Sequence, residues 1–377
     1  MKHRFIISGG GTGGHIFPAL AIANRLKKEF PDAEFLFIGA EGKMEMTKVK
    51  EAGYDIIGLK IYGINRSFSF KSIVRNLKLP FVVMKSINQV KKLMREFKPD
   101  IVIGVGGFAS GPALQAAVEL KIPTLIQEQN SFPGITNKLL ARKVDRICVA
   151  YSGLEKYFPK DKIVQTGNPV RDIILNIKNK TEEKIEYSGL HRDQRTILVV
   201  GGSLGARTIN ECMFNGLEEL KKLNVQLIWQ TGELFYKTHQ ELLQQKENEK
   251  IKIVPFITEM DKAYIFADII VSRAGAIAIS ELTIVGKPVI LVPFPYAAED
   301  HQSKNAQALV EKNAAIMIPD HEAKDKLLAE LIALINNEEK CKSLAENIGK
   351  MKQETAIDNI IQEIIKIIFS TSKDSKK

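Results

Sequence analysis

Twice along this chain a run of β-branched and aromatic residues breaks into glycines and resumes as a helical pattern: "RFIISGGGTGGHIFPALAIANRL" from Arg4, and "TILVVGGSLGARTINECM" from Thr196. A strand that ends in a glycine loop and opens a helix leaves bare N–H groups at the helix start, and glycine lets backbone approach a neighbour or ligand closely. Each opening heads its own series. After the first come "EFLFIG", "YDIIGLK", "DIVIGVG", "PTLIQ" and "DRICVA"; after the second come "VQLIWQ", "IKIVPF", "ADIIVS" and "KPVILVP", each run but "DRICVA" trailed by a longer helical pattern. Short apolar runs alternating with helical stretches predict parallel sheets with helices on both faces. Two series predict an α/β chain of two Rossmann-like, doubly wound domains, and 377 residues suit two such cores. The chain starts again after "KIVQTGNPVR", so the boundary is expected near Gly167. The expected domains are 1–167 and 168–354, with a long apolar helix at about 355–370 packing back on the first.

Composition removes several classes of function. Cys148, Cys212 and Cys341 lie far apart and form no C-x-x-C pair, which argues against a disulfide framework or a zinc ribbon and fits a reduced cytosolic setting. The first residues run straight into a strand and lack the regions of a signal peptide. The net charge of +10 resides in the first half, and residues 60–98 carry ten basic side chains against the single acid Glu96. These are interleaved with Phe68, Phe70, Ile73, Leu77, Leu79, Phe81, Val82, Val83 and Met84, a composition suited to an anionic surface. The apolar run from Leu79 to Met84 is far short of the roughly 18 residues a membrane span requires.

Gly9, Gly11 and Gly14 satisfy G-x-G-x-x-G, the spacing of a dinucleotide loop. A dehydrogenase also requires an acid at the end of the second strand, yet "EFLFIGAEGKME" ends its strand in Gly39 and Ala40 with Glu41 placed late. Two more loops fall at the same sheet edge: "GVGGFASGP" at 104–112 after "DIVI", and "EQNSFPGITNK" with Gln129 and Asn130 after "PTLI". Open α/β sheets bind ligands at this carboxyl edge. Glycine clusters at several strand ends predict close backbone approach to something large and polar.

Eight segments, "GGGTGGHIFPALAIA", "GVGGFASGP", "EQNSFPGITNK", "TGNPVR", "VVGGSLGARTIN", "PFITEM", "SRAGAIAISEL" and "PFPYAAEDHQSKNA", resemble in order and spacing the MurG family of cell-wall glycosyltransferases. The likeness runs from about Phe5 to Ala308. It implies the GT-B architecture, two Rossmann-like domains with the active site in the cleft between them. It further implies inverting transfer of N-acetylglucosamine from UDP-N-acetylglucosamine to the lipid-linked muramyl-pentapeptide lipid I, giving β-1,4-linked lipid II.

What the resemblance implies for residues is as follows. The donor site comprises Thr12, Gly13, Gly14, Asn130, Arg171, Ser203, Ile257, Ala276, Ile277, Ala278, Ile279, Ser280, Glu281 and Gln302. Glu281 accepts from the ribose hydroxyls, the Ile257 backbone reads the uracil edge, and Gln302 holds a sugar hydroxyl. A carboxylate amid the apolar residues of "AIAISEL" also needs a polar partner. Gly106, Gly107 and Ser110 serve the acceptor. The chain has no D-x-D motif, so no metal and no cofactor are expected. The departing diphosphate is instead met by Gly202 and Ser203 at one helix N-terminus, by the amides of Gly275 to Ala278 at another, and by Arg171. His15 is the candidate general base, because a helix N-terminus disfavours imidazolium and keeps the ring able to accept a proton. Many family members carry histidine directly before "EQN"; here it is Gln127, and no role needing a protonatable group there carries over.

The basic stretch gains a partner on this reading, since a polyprenyl acceptor stays in the bilayer. Ile73, Leu77, Phe81 and Met84, ringed by Arg75, Lys78, Lys85 and Lys91, suit the anionic inner leaflet and place the protein peripherally on its cytoplasmic face. The competing reading makes this apolar side simply core, although Pro80 interrupts the helical pattern. A UDP-N-acetylglucosamine epimerase shares the architecture and sugar nucleotide but has no need of the basic segment. Nucleic acid is not an expected partner, because aromatic stacking platforms are sparse.

Overall fold

Two parallel sheets, one in each half of the chain, organise the protein. The computed structural model describes residues 2–63, 69–177, 187, 189–297 and 300–374, the side chains of 70–73 and 371–374 excepted. The chain divides into one unit of Met1–Arg171 with Thr355–Lys377 and a second of Asp172–Glu354.

The first sheet contains β1 (Arg4–Ser8), β2 (Glu34–Ala40), β3 (Asp55–Leu59), β4 (Ile101–Gly104), β5 (Thr124–Glu128), β6 (Arg146–Val149) and β7 (Ile163–Gln165), in the order β3-β2-β1-β4-β5-β6-β7. The second contains β8 (Arg195–Val200), β9 (Val225–Gln230), β10 (Ile251–Val254), β11 (Ile269–Ser272), β12 (Val289–Leu291) and β13 (Ile316–Met317), in the order β10-β9-β8-β11-β12-β13. Every ladder among these strands is parallel. Each sheet starts in its middle, winds to one edge and resumes on the other side of its first strand. The order therefore reverses between β1 and β4 and between β8 and β11, where a doubly wound sheet opens a crevice at its carboxyl edge.

The strands are buried on both faces, which explains their continuous apolar runs: Phe5, Ile6 and Ile7 of β1 and Ile197, Leu198 and Val199 of β8 are all fully buried. The strands β7 and β13, of three and two residues, leave no signal of their own in the sequence. Edge strands this short show no period, and only pairing to β6 and β12 makes them strands.

Pro80 does not end its helix, which runs from Phe70 to Phe97. A proline here removes one backbone hydrogen bond and costs about 3 kcal/mol in isolation. Burial of Ser86, Val90 and Met94 at helical spacing on the core side holds the helix regardless of the exposed proline. The helix Ala356–Asp374 lies against the helix Gly13–Glu29, buries Ile357, Ile360, Ile361 and Ile364, and receives a 2.8 Å bond from Arg25 Nε at Asp358 Oδ1. Among the described residues, no helix is long and apolar enough to cross a membrane.

Candidate active site

In the first unit the loops leaving β1 and β4 interlock. A Cβ on Gly9 would stand 2.2 Å from Val105 Cγ2, and one on Gly107, whose φ is +84°, would stand 2.3 Å from the Gly10 carbonyl oxygen. The β1 loop is held from behind by Glu45, a buried carboxylate that accepts from Gly11 N at 2.9 Å and from Ala40 N at 3.0 Å. Thr12 caps the helix Gly13–Glu29 in extended conformation with no side-chain cap bond; Thr12 and Gly14 are exposed and Gly13 is buried.

His15, in the first turn of that helix, places Nδ1 3.2 Å from Gln129 Oε1. Burial pushes the His15 pKa below the ordinary imidazole value, opposed in turn by Glu128, the Val105 carbonyl, Gln129 and Glu45. The Gly106 backbone lies against the ring: a Cβ there would meet His15 Cε1 at 2.7 Å. Ser110 is fully buried, and its hydroxyl donates to the Gly107 carbonyl at 2.9 Å, closing the β4 loop. Asn130 is tied to the loop after β5 by its backbone N–H, 3.0 Å from Glu128 Oε1, and by Nδ2 at 3.3 Å from the same atom. Glu128 Oε2 accepts from Gly134 N at 3.1 Å and Asn137 Nδ2 at 2.8 Å, so this buried carboxylate shapes the whole loop. Arg171 stacks 5.0 Å above the ring centroid of Phe17, on the same helix as His15.

In the second unit Gly202 and Ser203 do not form a helix N-terminus. They lie in a turn closed by Gly205 N donating to Gly202 O at 3.0 Å, and the helix begins at Arg207. Gly202 and Gly205 adopt φ of +89° and +79°, values a helix cannot accommodate, and a Cβ on Gly205 would stand 2.0 Å from Thr231 O. Gln230 ties this turn to the next strand end: Nε2 donates to Gly202 O at 2.9 Å, and Oε1 accepts from Ile257 N at 2.9 Å. The Ile257 N–H is thereby engaged within the unit.

Gly275 caps the helix Ala276–Val285, with open space where a Cβ would stand. Ala276, Ile277, Ile279 and Glu281 are buried, while Ala278 and Ser280 are half-buried, the Ser280 hydroxyl donating to Ala276 O at 3.0 Å. Glu281 has a polar partner as expected, Tyr264, whose hydroxyl donates to Oε2 at 3.3 Å. Gln302 Oε1 accepts from Phe294 N at 3.0 Å, fixing the loop after β12. Arg273, which the sequence did not single out, is buried and donates to Val292 O and Pro293 O, both at 3.0 Å, and to Asp320. Among the described residues no group of three or more His, Cys, Asp or Glu is placed to hold a metal ion.

The apolar positions of the Phe70–Phe97 helix divide into two faces. Leu77, Phe81 and Met84 are 69%, 77% and 62% exposed, so they are not core. Arg75, Lys78 and Lys85 are exposed beside them, with Arg75 stacked over Tyr62 at 4.3 Å. Lys91 is paired with Glu119, and the Ile73 side chain lies outside the described residues.

Residues 5–149 match the glycosyltransferase family 28 N-terminal domain, and residues 196–363 match its C-terminal domain. The chain is 52% identical over 367 residues, 97% of its own length and 99% of the relative's, to the UDP-N-acetylglucosamine--N-acetylmuramyl-(pentapeptide) pyrophosphoryl-undecaprenol N-acetylglucosamine transferase of Parabacteroides distasonis. The crystal structure of Acinetobacter baumannii MurG superposes with a TM-score of 0.72 at 29% identity, covering 97% of this chain and 99% of that one. This chain belongs to the MurG family within glycosyltransferase family 28. A UDP-GlcNAc 2-epimerase from Neisseria meningitidis also superposes, with a TM-score of 0.67 over 97% of this chain and all of that one. Its identity of 16% shows a shared fold alone. Membership of the MurG family makes the protein a hexosyltransferase with two parallel-sheet α/β domains of GT-B type.

Proposed function

We propose that the protein moves N-acetylglucosamine from UDP-N-acetylglucosamine to the 4-hydroxyl of the muramyl sugar of lipid I, with inversion, releasing UDP and forming lipid II. The observation that carries this is the 52% identity, across nearly the full length of both chains, to a transferase named for that reaction. On this reading the Ile257 carbonyl accepts from the uracil N3–H, and Glu281, steadied by Tyr264, accepts from the ribose hydroxyls. Positive charge on Arg171 and the N-terminus of the helix Ala276–Val285 balance the departing diphosphate, the helix end contributing about 0.3–1 kcal/mol. Ser203 and its turn supply N–H groups outside any helix, and the loops at Thr12–Gly14, Gly106–Gly107 and Asn130 serve donor and acceptor. The His15 imidazole takes the proton of the attacking hydroxyl. The decisive assay incubates purified protein with radiolabelled UDP-N-acetylglucosamine and a lipid I analogue, with and without chelator. Label in the lipid, undiminished by chelation, is expected; an unlabelled lipid would overturn the assignment, and loss on chelation the metal-free chemistry.

Glu281→Gln keeps the shape but weakens acceptance from the ribose. It is expected to raise the KM for UDP-N-acetylglucosamine about tenfold, a loss of about 1.4 kcal/mol, with kcat little changed. Steady-state kinetics check this, and an unaltered KM would remove Glu281 from the donor site.

The exposed Leu77, Phe81 and Met84, with Arg75, Lys78 and Lys85, support peripheral docking on the anionic cytoplasmic leaflet that holds the acceptor. Each basic residue near such a surface contributes about 1 kcal/mol. Co-sedimentation with vesicles is expected to rise with anionic lipid content and to fall at least about tenfold in a Leu77→Ser/Phe81→Ser double variant, given about 1.5–3 kcal/mol per fully buried side chain. Binding indifferent to both would show that this face has another use.

A further inference from the structure

We propose that a relay of side-chain amides, Asn168 to Gln127 to Gln129, sets the proton of the neutral His15 ring on Nδ1 and leaves Nε2 as the proton acceptor, making Gln129 a positioning residue for transfer. The tautomer follows from the relay, with the Val105 carbonyl also acting on the ring; its bearing on turnover rests on the reading of His15 as base.

The two ends of a side-chain amide are told apart by neighbours that can only accept, and backbone carbonyls are such neighbours. Gln129 Nε2 lies 2.8 Å from Val105 O and 3.2 Å from Gln127 O. Turning this amide over would press its oxygen against two carbonyls. Its nitrogen also donates to Gln127 Oε1. Gln127 is oriented in the same way one step back. Asn168 Nδ2 donates to Gln129 O at 3.1 Å, so Asn168 Oδ1 accepts from Gln127 Nε2 at 3.2 Å, and this turns Gln127 Oε1 toward Gln129. Gln127, Gln129 and Asn168 are 0%, 2% and 2% exposed, which shields the relay from bulk solvent.

The relay ends on Gln129 Oε1, the atom 3.2 Å from His15 Nδ1. An amide oxygen accepts and never donates, so a neutral imidazole meets it with Nδ1–H and keeps its lone pair on Nε2. The Gly106 backbone lies along the ring, close enough that a Cβ there would stand 2.9 Å from Nδ1. The charged groups acting on the ring are Glu128 of β5 and Glu45 of the helix Glu45–Glu51, both holding backbone N–H groups. Gln127 itself has no proton to gain, so the orientation persists at every pH where His15 titrates.

The test is nitrogen-15 NMR of the full-length protein with labelled histidine, His15→Gln assigning the resonance, beside kinetics of Gln129→Met. Expected are a protonated Nδ1 and an unprotonated Nε2 in the parent, and a mixture of tautomers in Gln129→Met. That variant is expected to lose about 10–100-fold in turnover, with less than a twofold change in donor KM. Because the Gln129 bond favours imidazolium, its loss should also move the acidic limb of kcat/KM to lower pH. A parent ring protonated on Nε2 would overturn the relay whatever the turnover, and so would a tautomer unmoved by Gln129→Met. The expected tautomers with unchanged turnover would overturn Gln129's part in the reaction, the reading of His15 as base being tested separately by His15→Ala.

Discussion

His15→Ala is expected to lower turnover by roughly 10²–10⁴-fold with the affinity for UDP-N-acetylglucosamine barely changed, the span removed by loss of a well-placed general base. Electrostatics and geometry act together here. A ring in the first turn of a helix, buried enough for its pKa to fall, stays neutral at pH values where an exposed imidazole is already half protonated. The sign fixes the pH profile: the competent form is the neutral one, so kcat/KM falls only as pH drops through the lowered pKa, below the ordinary value near 6.5. Steady-state kinetics across pH 5–8 on the parent and the variant check both parts. Near-normal turnover in the alanine variant would take His15 out of the reaction.

Gly107→Ala is expected to be the most damaging change that alters no functional group. Two separate penalties meet there: φ of +84°, strained for any residue with a Cβ, and a Cβ position 2.3 Å from the Gly10 carbonyl oxygen. Backbone cannot swing aside as a side-chain end can, so the β1 and β4 loops must part. We expect a loss of about 2–3 kcal/mol in unfolding free energy and a turnover lowered at least about tenfold, because the displaced loop carries the segment leading into His15. Gly42→Ala is the control. Its φ is +69° with nothing within 4 Å, so it carries strain without contact and should cost only about 1 kcal/mol with normal turnover. Denaturant unfolding of the two variants side by side checks this; equal losses would mean that the loops do not brace each other.

Much of this is legible in the amino-acid order. Strands such as Phe5–Ile7 and Ile197–Val199 announce themselves because a parallel strand covered on both faces has to be apolar throughout. The glycines were readable for a related reason, since a close approach between loops tolerates nothing larger. Other features left no local trace. Pro80 reads as a break, yet burial of Val90 and Met94 carries the helix past it. Ser203 reads as the start of a helix, but positive φ at Gly202 and Gly205 makes a turn and delays the helix to Arg207. Glu45, Gln230 and Arg273 are not distinguishable in the sequence from ordinary polar residues.

The amino-acid order by itself determined the two parallel α/β halves, the loops at their carboxyl edges and the family, because these depend on local periodicity, on glycine and on motif order. The folded chain decided which polar groups meet. His15 and Gln129 are 114 positions apart and Gln127 and Asn168 are 41 apart, yet each pair comes within 3.2 Å. Hydrogen bonding is short-ranged and directional. Partners so distant in the chain are chosen by the register of strands and the path of loops, which no local pattern of residues encodes.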